Sequence, residues 1–228
     1  AAVFHYTVEK EPDPDALSLE DTIQIAHERE VPVIVDSAGE VYPLSNFGKY
    51  ARMGADFQCI AAKYIGAPHS TGLALGSKEM IRKIALQSFA GYEGRRIRGI
   101  GRPQKIDRQE IVGVVAAIQR WLSLNHEERL SALEQKSQSV ISSLEGIRGL
   151  RATMIENIIG HHAFGVHLEM DPDEAGMTLH DVVAKLKDND PPIWTRVKDG
   201  ENFITLHMFG LLEGEEKILG ERIADLFQ

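Results

Sequence analysis

The sequence predicts an α/β fold with a largely parallel sheet, followed by a smaller α+β region. Up to residue 90, short apolar runs alternate with stretches of helical periodicity, which is typical of a parallel sheet with crossover helices. A long amphipathic helical pattern starts at Asp107, and paired apolar segments follow it. We therefore expect residues 1–106 to be part of a large domain, 107–146 a linking helical region, and 147–228 a small α+β domain.

The first region contains four predicted strands. The run VPVIVD at 31–36 is apolar throughout and closes with an acid, which is typical of a strand buried on both faces. Ser18 and Ser77 precede helical stretches and can cap them. In order, the predicted elements are strand 3–8, helix 19–30, strand 31–36, a short helix at 46–53, strands 55–62 and 72–76, and helix 77–90.

The rest of the chain begins with a stretch rich in Gly and Arg, 91–105, which predicts an irregular loop. The helical pattern from Asp107 runs to about Gly146 and has an expected break near Asn125. After it, the predicted elements are strands 151–159 and 162–170, helix 178–188, strands 193–198 and 202–208, and helix 213–227.

Composition narrows the class of protein. Of 228 residues, 43% are hydrophobic and 26% charged, which is ordinary for a globular protein and excludes a disulfide scaffold. No apolar run reaches the roughly 20 residues of a membrane helix. A net charge of −9 disfavours a broad nucleic-acid surface. One cysteine and no visible signal peptide predict a cytoplasmic location. Because the chain starts at Ala1 and enters an apolar run at once, we expect an N-terminal part to be missing.

Two chemically reactive residues follow neighbouring strands. Asp36 ends the most apolar strand candidate, and Lys63 follows the next one. Ligands of open α/β sheets gather beyond the carboxyl ends of the strands, so these side chains should share one crevice. An acid can keep a ring nitrogen protonated, and a lysine amine can form a Schiff base, which is the minimum equipment for pyridoxal 5′-phosphate (PLP). The alternative, a turn-capping Asp and a solvated Lys, stays open on spacing alone.

Longer segments carry a family resemblance. VPVIVDSAGEVYP, MGADFQCIAAKYIGAPHSTGLALGSKEMI and GRPQKIDRQEIVGVVAAIQRWL resemble the fold type I PLP-dependent enzymes, and so does the tail PPIWTRVKDGENFITLHMFGLLEGEEKILGERI. Within them the chain is most similar to the group of selenocysteine synthase (L-seryl-tRNA selenium transferase) and D-glucosaminate-6-phosphate ammonia-lyase. The resemblance implies the C-terminal part of the large domain plus the small domain, PLP as cofactor, and a homodimer or higher homo-oligomer.

The resemblance also assigns roles to residues. It implies that Asp36 pairs with the pyridine nitrogen and that Lys63 carries the cofactor. The related enzymes have a hydroxyl residue shortly before the lysine, where this chain has Ile60 and Ala61. Ser70 and Thr71 are expected to compensate at the cofactor phosphate, or else only satisfy backbone groups. His69, where Gln or Asn is common, is a further candidate cofactor contact.

Two arginines are candidate substrate ligands. Fold type I enzymes commonly hold a substrate carboxylate with a small-domain arginine, and Arg196 is the candidate here; an ordinary ion pair is the alternative. Arg102 lies in GRPQKI, which resembles the GR-x-x-K element of the related enzymes. Its loop also carries further cations that suit an anion such as a sugar phosphate, namely Arg95, Arg96, Arg98 and Lys105.

The remaining candidates predict structural roles. His161 and His162 are adjacent and would point to opposite faces of a strand, and no spacing predicts a metal site. Cys59 lies inside a strand candidate and should be a buried, unreactive thiol. Trp121 and Trp194 are expected to anchor a core or an interface.

Three functions remain open. The first is a PLP-dependent enzyme acting on an amino acid or amino sugar acid, with α,β-elimination and ammonia release through Lys63. The second is tRNA modification of the selenium-transferase kind, which the net charge disfavours. The third is a catalytically incomplete scaffold that keeps the fold, which the departures at Ile60 and Ala61 favour and the retained Asp36 and Lys63 oppose.

Overall fold

A computed structural model describes residues 1–7, 15–157, 163–195, 197 and 200–227. The described residues form two compact units, one before Asn125 and the other from Asn125 onward. The division falls inside the region assigned above to a linking helix, and the domain assignment stays a prediction. In the described ranges, no helix is long and apolar enough to cross a membrane.

The first unit is built on a four-stranded sheet. Its strands are β1 (Val3–Tyr6), β2 (Val33–Asp36), β3 (Phe57–Ala61) and β4 (Gly72–Gly76), in that spatial order. β1, β2 and β3 are parallel, as the alternating sequence pattern predicts. β4 runs antiparallel to β3, because the turn between them is too short for a crossover helix.

The described residues of the first unit contain the α-helices α1 (Leu19–His27), α2 (Lys49–Met53), α3 (Lys78–Gln87), α4 (Phe89–Arg95) and α5 (Arg108–Ser123). The predicted caps are confirmed, because the hydroxyls of Ser18 and Ser77 accept the N–H groups of Asp21 and Met80. Asp107 caps α5 in a capping box with Glu110.

The first sheet is buried mainly on one face. Val33 and Val35 are fully buried, whereas the alternate positions Ile34 and Asp36 are half-buried. The prediction that this strand is buried on both faces is therefore wrong in the described structure. The covered face forms two apolar clusters. One, with α1, contains Leu19, Ile23, Val33 and Val35, and the other, with α5, contains Ile60, Ile65, Ala117 and Trp121.

The predicted loop at 91–105 is wrong in its first part, because α4 extends through Arg95. Two glycines made this segment unfavourable for a helix by propensity. One of them, Gly91, lies so close to α3 that an added Cβ would be 2.1 Å from the carbonyl oxygen of Leu86. Tight packing against the end of α3 therefore outweighs propensity here.

The second unit is an α+β layer, as predicted. Its elements are α6 (His126–Ser143), β5 (Leu150–Asn157), β6 (Ala163–Met170), α7 (Pro172–Ala175), α8 (Leu179–Lys187), β7 (Phe203–His207) and α9 (Glu215–Asp225). The three strands form an antiparallel sheet in the order β5-β6-β7. α6, α8 and α9 share a buried core with the sheet, to which the helices contribute Val140, Leu186 and Ile223 and the strands Leu168 and Ile204.

Three details of the second region differ from or refine the predictions. The expected helix break is confirmed at Leu124 and Asn125, where Asn125 caps α6. No strand forms at the described positions of 193–198, since 193–195 and 197 have irregular backbone. Trp194 is 74% exposed and so is not a core residue, while Trp121 is buried as expected.

Candidate functional site

Asp36 and Lys63 lie at the same edge of the first sheet. Asp36 is the last residue of β2, and Lys63 lies in the 3-10 turn Ala62–Ile65 directly after β3. β2 and β3 are parallel neighbours, so their carboxyl ends meet at one edge. The Ala61 N–H donates to the Ala38 carbonyl oxygen at 3.0 Å. Each candidate lies two residues from this cross-link, so the backbone brings them together.

The Asp36 carboxylate is held through one of its two oxygens. Oδ1 accepts the Ala38 N–H at 3.1 Å and the Cys59 thiol at 3.4 Å. The backbone carbonyl of Asp36 accepts the N–H and the hydroxyl of Thr7, each at 3.1 Å. Within the described part of the chain, Oδ2 accepts no hydrogen bond. Among the described residues, nothing competes at this oxygen with a donor from a bound molecule.

The Lys63 amine is available for chemistry. Lys63 is exposed, and its Nζ lies 5.1 Å from the centre of the Tyr64 ring. Across the residues that the structure describes, Lys63 forms no ion pair. Its contact with the aromatic face is weak and leaves the nitrogen accessible.

A buried amide fixes the loop that follows Asp36. Gln58 is completely buried in β3, and its Nε2 donates to the Ser37 hydroxyl and the Asn46 carbonyl oxygen, both at 2.9 Å. Its Oε1 accepts the Tyr50 N–H at 3.2 Å. Ser37 in turn donates its hydroxyl to the Cys59 carbonyl oxygen at 2.9 Å. Sequence reasoning missed this network, although a glutamine inside an apolar strand was a usable signal.

A buried acid anchors the same loop further along. Glu40 is 1% exposed, and the Tyr50 hydroxyl donates to its carboxylate at 2.7–2.8 Å. Burial, and then the Glu40 carboxylate, raise the pKa of Tyr50 far above its ordinary value, so the phenol stays a donor. The Trp121 indole N–H donates to the next carbonyl, that of Val41, at 2.9 Å. The loop after Asp36 is thus attached to both β3 and α5.

The hydroxyls of Ser70 and Thr71 already have protein partners. Ser70 donates to Glu110, and this bond, followed by the Asp107 N–H, lowers the pKa of the Glu110 carboxyl. Thr71 is buried and donates to the Pro68 carbonyl oxygen at 2.6 Å. His69 is exposed in the same turn. The cofactor roles of these three residues stay predictions. The Thr71 bond matches the backbone-satisfying alternative, whereas Ser70 donates to a side chain.

Cys59 is half-buried rather than fully buried. Burial, and then the hydrogen bond and charge of Asp36, raise the pKa of its thiol to about 11. The thiol therefore stays protonated at neutral pH and is a poor nucleophile. Its contact with Asp36 was not predicted from the sequence.

Arg102 lies on an aromatic platform. Its guanidinium carbon is 4.4 Å from the Tyr92 ring centre and 5.3 Å from that of Phe89, and Nη2 pairs with Glu93 at 3.1 Å. None of its described contacts is with Asp36 or Lys63, so its substrate role stays a prediction. The other arginine candidate, Arg196, lies outside the described residues, as do His161 and His162. The described residues contain no cluster of metal-ligating side chains.

Two curated proteins are similar to the chain. The 5′-C-glycyluridine monooxygenase-decarboxylase of Streptomyces sp. is 26% identical over 78% of this chain and 41% of its own. The D-glucosaminate-6-phosphate ammonia lyase of Salmonella typhimurium is 25% identical over 97% of this chain and 55% of its own. No known protein-family profile matches the chain.

Solved structures identify the fold. The structure of D-glucosaminate-6-phosphate ammonia-lyase aligns with a TM-score of 0.76 and 24% identity, over 99% of this chain and 57% of that one. Serine palmitoyltransferase from S. paucimobilis, solved with PLP and myriocin, aligns with a TM-score of 0.53 and 13% identity, over 99% and 53%. The chain has the fold of the type I PLP-dependent enzymes. The predicted resemblance and fold class are confirmed.

The chain spans about half the length of the curated relatives it matches, 41% of one and 55% of the other. The match to the ammonia lyase, over 97% of this chain, includes the sheet edge with Asp36 and Lys63.

Proposed function

We propose that this chain binds PLP through Asp36 and Lys63, as part of an enzyme that acts on an amino acid or amino sugar acid. We further propose that the reaction is an α,β-elimination that releases ammonia. The observation that carries this proposal is the pair itself, a carboxylate with an open oxygen and an accessible amine at one sheet edge. We also propose a cytoplasmic homodimer or higher homo-oligomer, on the single cysteine and the family resemblance.

The donor set at this edge fits the cofactor. PLP presents an aldehyde, a pyridine nitrogen and a phosphate. Lys63 offers a primary amine for the aldehyde, and Oδ2 of Asp36 offers an acceptor for the protonated nitrogen. The hydroxyls of Ser70 and Thr71, the proposed phosphate ligands, donate to Glu110 and to the Pro68 carbonyl oxygen, so donation to a phosphate would replace those bonds.

When bound, PLP supplies an electron sink for the pair of electrons left on a substrate carbon after that carbon loses its proton. Asp36 would accept the proton of the ring nitrogen at Oδ2, and its charge would favour the cationic ring. Lys63 would hold the cofactor aldehyde through Nζ, and a neutral Nζ at this position would accept the proton from the substrate carbon. The network around Gln58 keeps the loop after Asp36 in place during these steps.

The amino sugar acid is proposed from the name of the ammonia lyase, 25% identical over nearly the whole chain. Arg102 supports a phosphorylated substrate, because its rigid guanidinium forks well onto phosphate oxygens. Glu93 already occupies Nη2, so phosphate binding there would displace that carboxylate or use the remaining N–H donors.

Covalent trapping tests the cofactor assignment. The chain is mixed with PLP and reduced with borohydride, which converts a lysine link into a stable amine, and the modified peptide is located by mass spectrometry. Lys63 should be labelled selectively, and Lys63→Ala should abolish this label and the visible absorbance band of bound cofactor. Lys49→Ala is the matched control, since Lys49 is exposed and its amine also lies 5.0 Å from a tyrosine ring.

Equal labelling of Lys49 and Lys63, or a visible band that survives in Lys63→Ala, would overturn the assignment. An absence of any band in the wild-type chain would favour the scaffold alternative.

Product analysis tests the reaction class. Ammonia release is measured with phosphorylated and unphosphorylated amino sugar acids, and faster release from the phosphorylated compound supports the elimination and the role of Arg102. Release of carbon dioxide instead of ammonia would refute the elimination. This product is measured because one of the curated relatives is a decarboxylase. A tRNA mobility shift at moderate salt would favour the selenium-transferase alternative, which the net charge of −9 disfavours.

A further inference from the structure

Cys59 and Asp36 lie side by side on the adjacent strands β3 and β2. The register of β2 and β3 pairs the two residues, so their side chains emerge on the same face of the sheet. Tyr6 of β1 pairs with Asp36 from the other side. The carboxylate therefore has one side-chain neighbour on each flanking strand.

In the described part of the chain, both donors to the carboxylate approach the same oxygen. The Ala38 N–H lies 3.1 Å from Oδ1, and the Cys59 sulfur lies 3.4 Å from the same atom. With the Ala38 N–H as its only donor, the Asp36 carboxylate could still rotate about its side-chain bonds. A second donor from a different strand restricts that motion, so the orientation of Oδ2 depends on Cys59.

The thiol is itself held in place. The Cys59 carbonyl oxygen accepts both the N–H of Ser37, at 3.2 Å, and its hydroxyl, at 2.9 Å. Gln58 completes the arrangement by donating to the Ser37 hydroxyl. Because Ser37 and Gln58 are both 0% exposed, the donor strand cannot drift away from the acceptor.

We propose that Cys59 is a positioning residue for Asp36: its thiol holds Oδ1 and thereby presents Oδ2 to the ring nitrogen of the cofactor. The inference rests on the proposed function and adds a residue that acts on the cofactor only through Asp36. It also gives the single cysteine of the chain a role that needs a protonated thiol rather than a nucleophile.

The first test needs neither cofactor nor substrate. Because the chain contains one cysteine, its infrared S–H stretching band reports on Cys59 alone. A hydrogen bond to a carboxylate lowers that frequency, so Asp36→Asn should raise it. Asp56→Asn is the matched control, because Asp56 precedes the same strand but bonds to His27 and Val33 instead, and it should leave the band unchanged.

The second test measures cofactor binding by titration with PLP. Cys59→Ala should weaken binding roughly 2- to 10-fold, which corresponds to one hydrogen bond of ordinary strength. Cys59→Ser should restore most of the affinity, because its hydroxyl is also a donor. If Cys59 acted only by packing, both substitutions should weaken PLP binding to a similar extent.

The outcomes separate this inference from the proposed function. If wild-type protein shows no cofactor band, the proposed function fails, whatever the infrared result. If wild-type protein binds PLP but the S–H band does not move in Asp36→Asn, the positioning role is refuted. Equal PLP affinities of wild type and Cys59→Ala would refute it as well.

Discussion

Replacing Gln58 by methionine tests whether the buried amide network stabilises the loop behind Asp36. Methionine has a similar volume, so the substitution removes the hydrogen bonds of Gln58 without leaving a large cavity. Three bonds are lost, to the Tyr50 N–H, the Ser37 hydroxyl and the Asn46 carbonyl. At about 1 kcal/mol for each bond, we expect the free energy of unfolding to fall by about 3 kcal/mol.

Urea unfolding followed by tryptophan fluorescence measures this loss. The chain has two tryptophans, and Trp121 lies in the first unit, 6% exposed. A Trp194→Phe background removes the signal of the second unit. Gln24→Met is the control in the same unit, because Gln24 is exposed and makes one long bond, 3.4 Å, to Glu28. It should change the stability by no more than about 0.5 kcal/mol.

Equal effects of Gln58→Met and Gln24→Met would refute the reasoning, since they would mean that the buried bonds add nothing beyond those of a surface glutamine. PLP affinity should also decrease in Gln58→Met, because the loop carrying Ala38 would no longer be fixed beside Asp36.

Two further predictions concern the first unit. Although burial would raise the pKa of Asp56, hydrogen bonding to His27 lowers it below its ordinary value. The Asp56 carboxylate therefore stabilises the fold at neutral pH, and this effect is lost as acid protonates it. Asp56→Asn should be less stable than wild type at neutral pH, and the difference in the free energy of unfolding, measured in urea, should shrink in acid. A difference that stays constant with pH would contradict this. Gly91→Ala should lower the free energy of unfolding by about 1–3 kcal/mol, because its Cβ would lie 2.1 Å from the Leu86 carbonyl oxygen. Gly94→Ala is the control, because no atom lies within 4 Å of the new Cβ, and it should leave stability unchanged or raise it. Thermal unfolding followed by circular dichroism compares the two variants.

The sequence predicted the elements whose signals are local. The apolar run 31–36 and the caps Ser18 and Ser77 depend on neighbouring residues only, and the structure has a strand and two capped helices there. The antiparallel direction of β4 follows from the short connection after β3, but the alternating pattern led to the prediction of a largely parallel sheet. The helix around Gly91 depends on packing against the end of α3, and no single-segment pattern contains that information.

The candidate site divides in the same way. Asp36 and Lys63 were found because both follow apolar strands, and the sheet brings both to one edge. The contact between Cys59 and Asp36 requires the strand register, which one sequence does not reveal. The partners of Ser70 were equally hidden, because Glu110 lies 40 positions further along the chain.

The spacing of the two reactive groups comes from main-chain pairing, because the bond between Ala61 and Ala38 uses no side-chain atoms. Mutations can therefore replace most of the surrounding side chains and leave this spacing intact. The two curated relatives are each about a quarter identical to this chain. If the site works as proposed, side chains around it can diverge to that extent while the acid and the amine keep their separation. Evolutionary change in specificity is then expected in the loops around this edge rather than in the strands that support it.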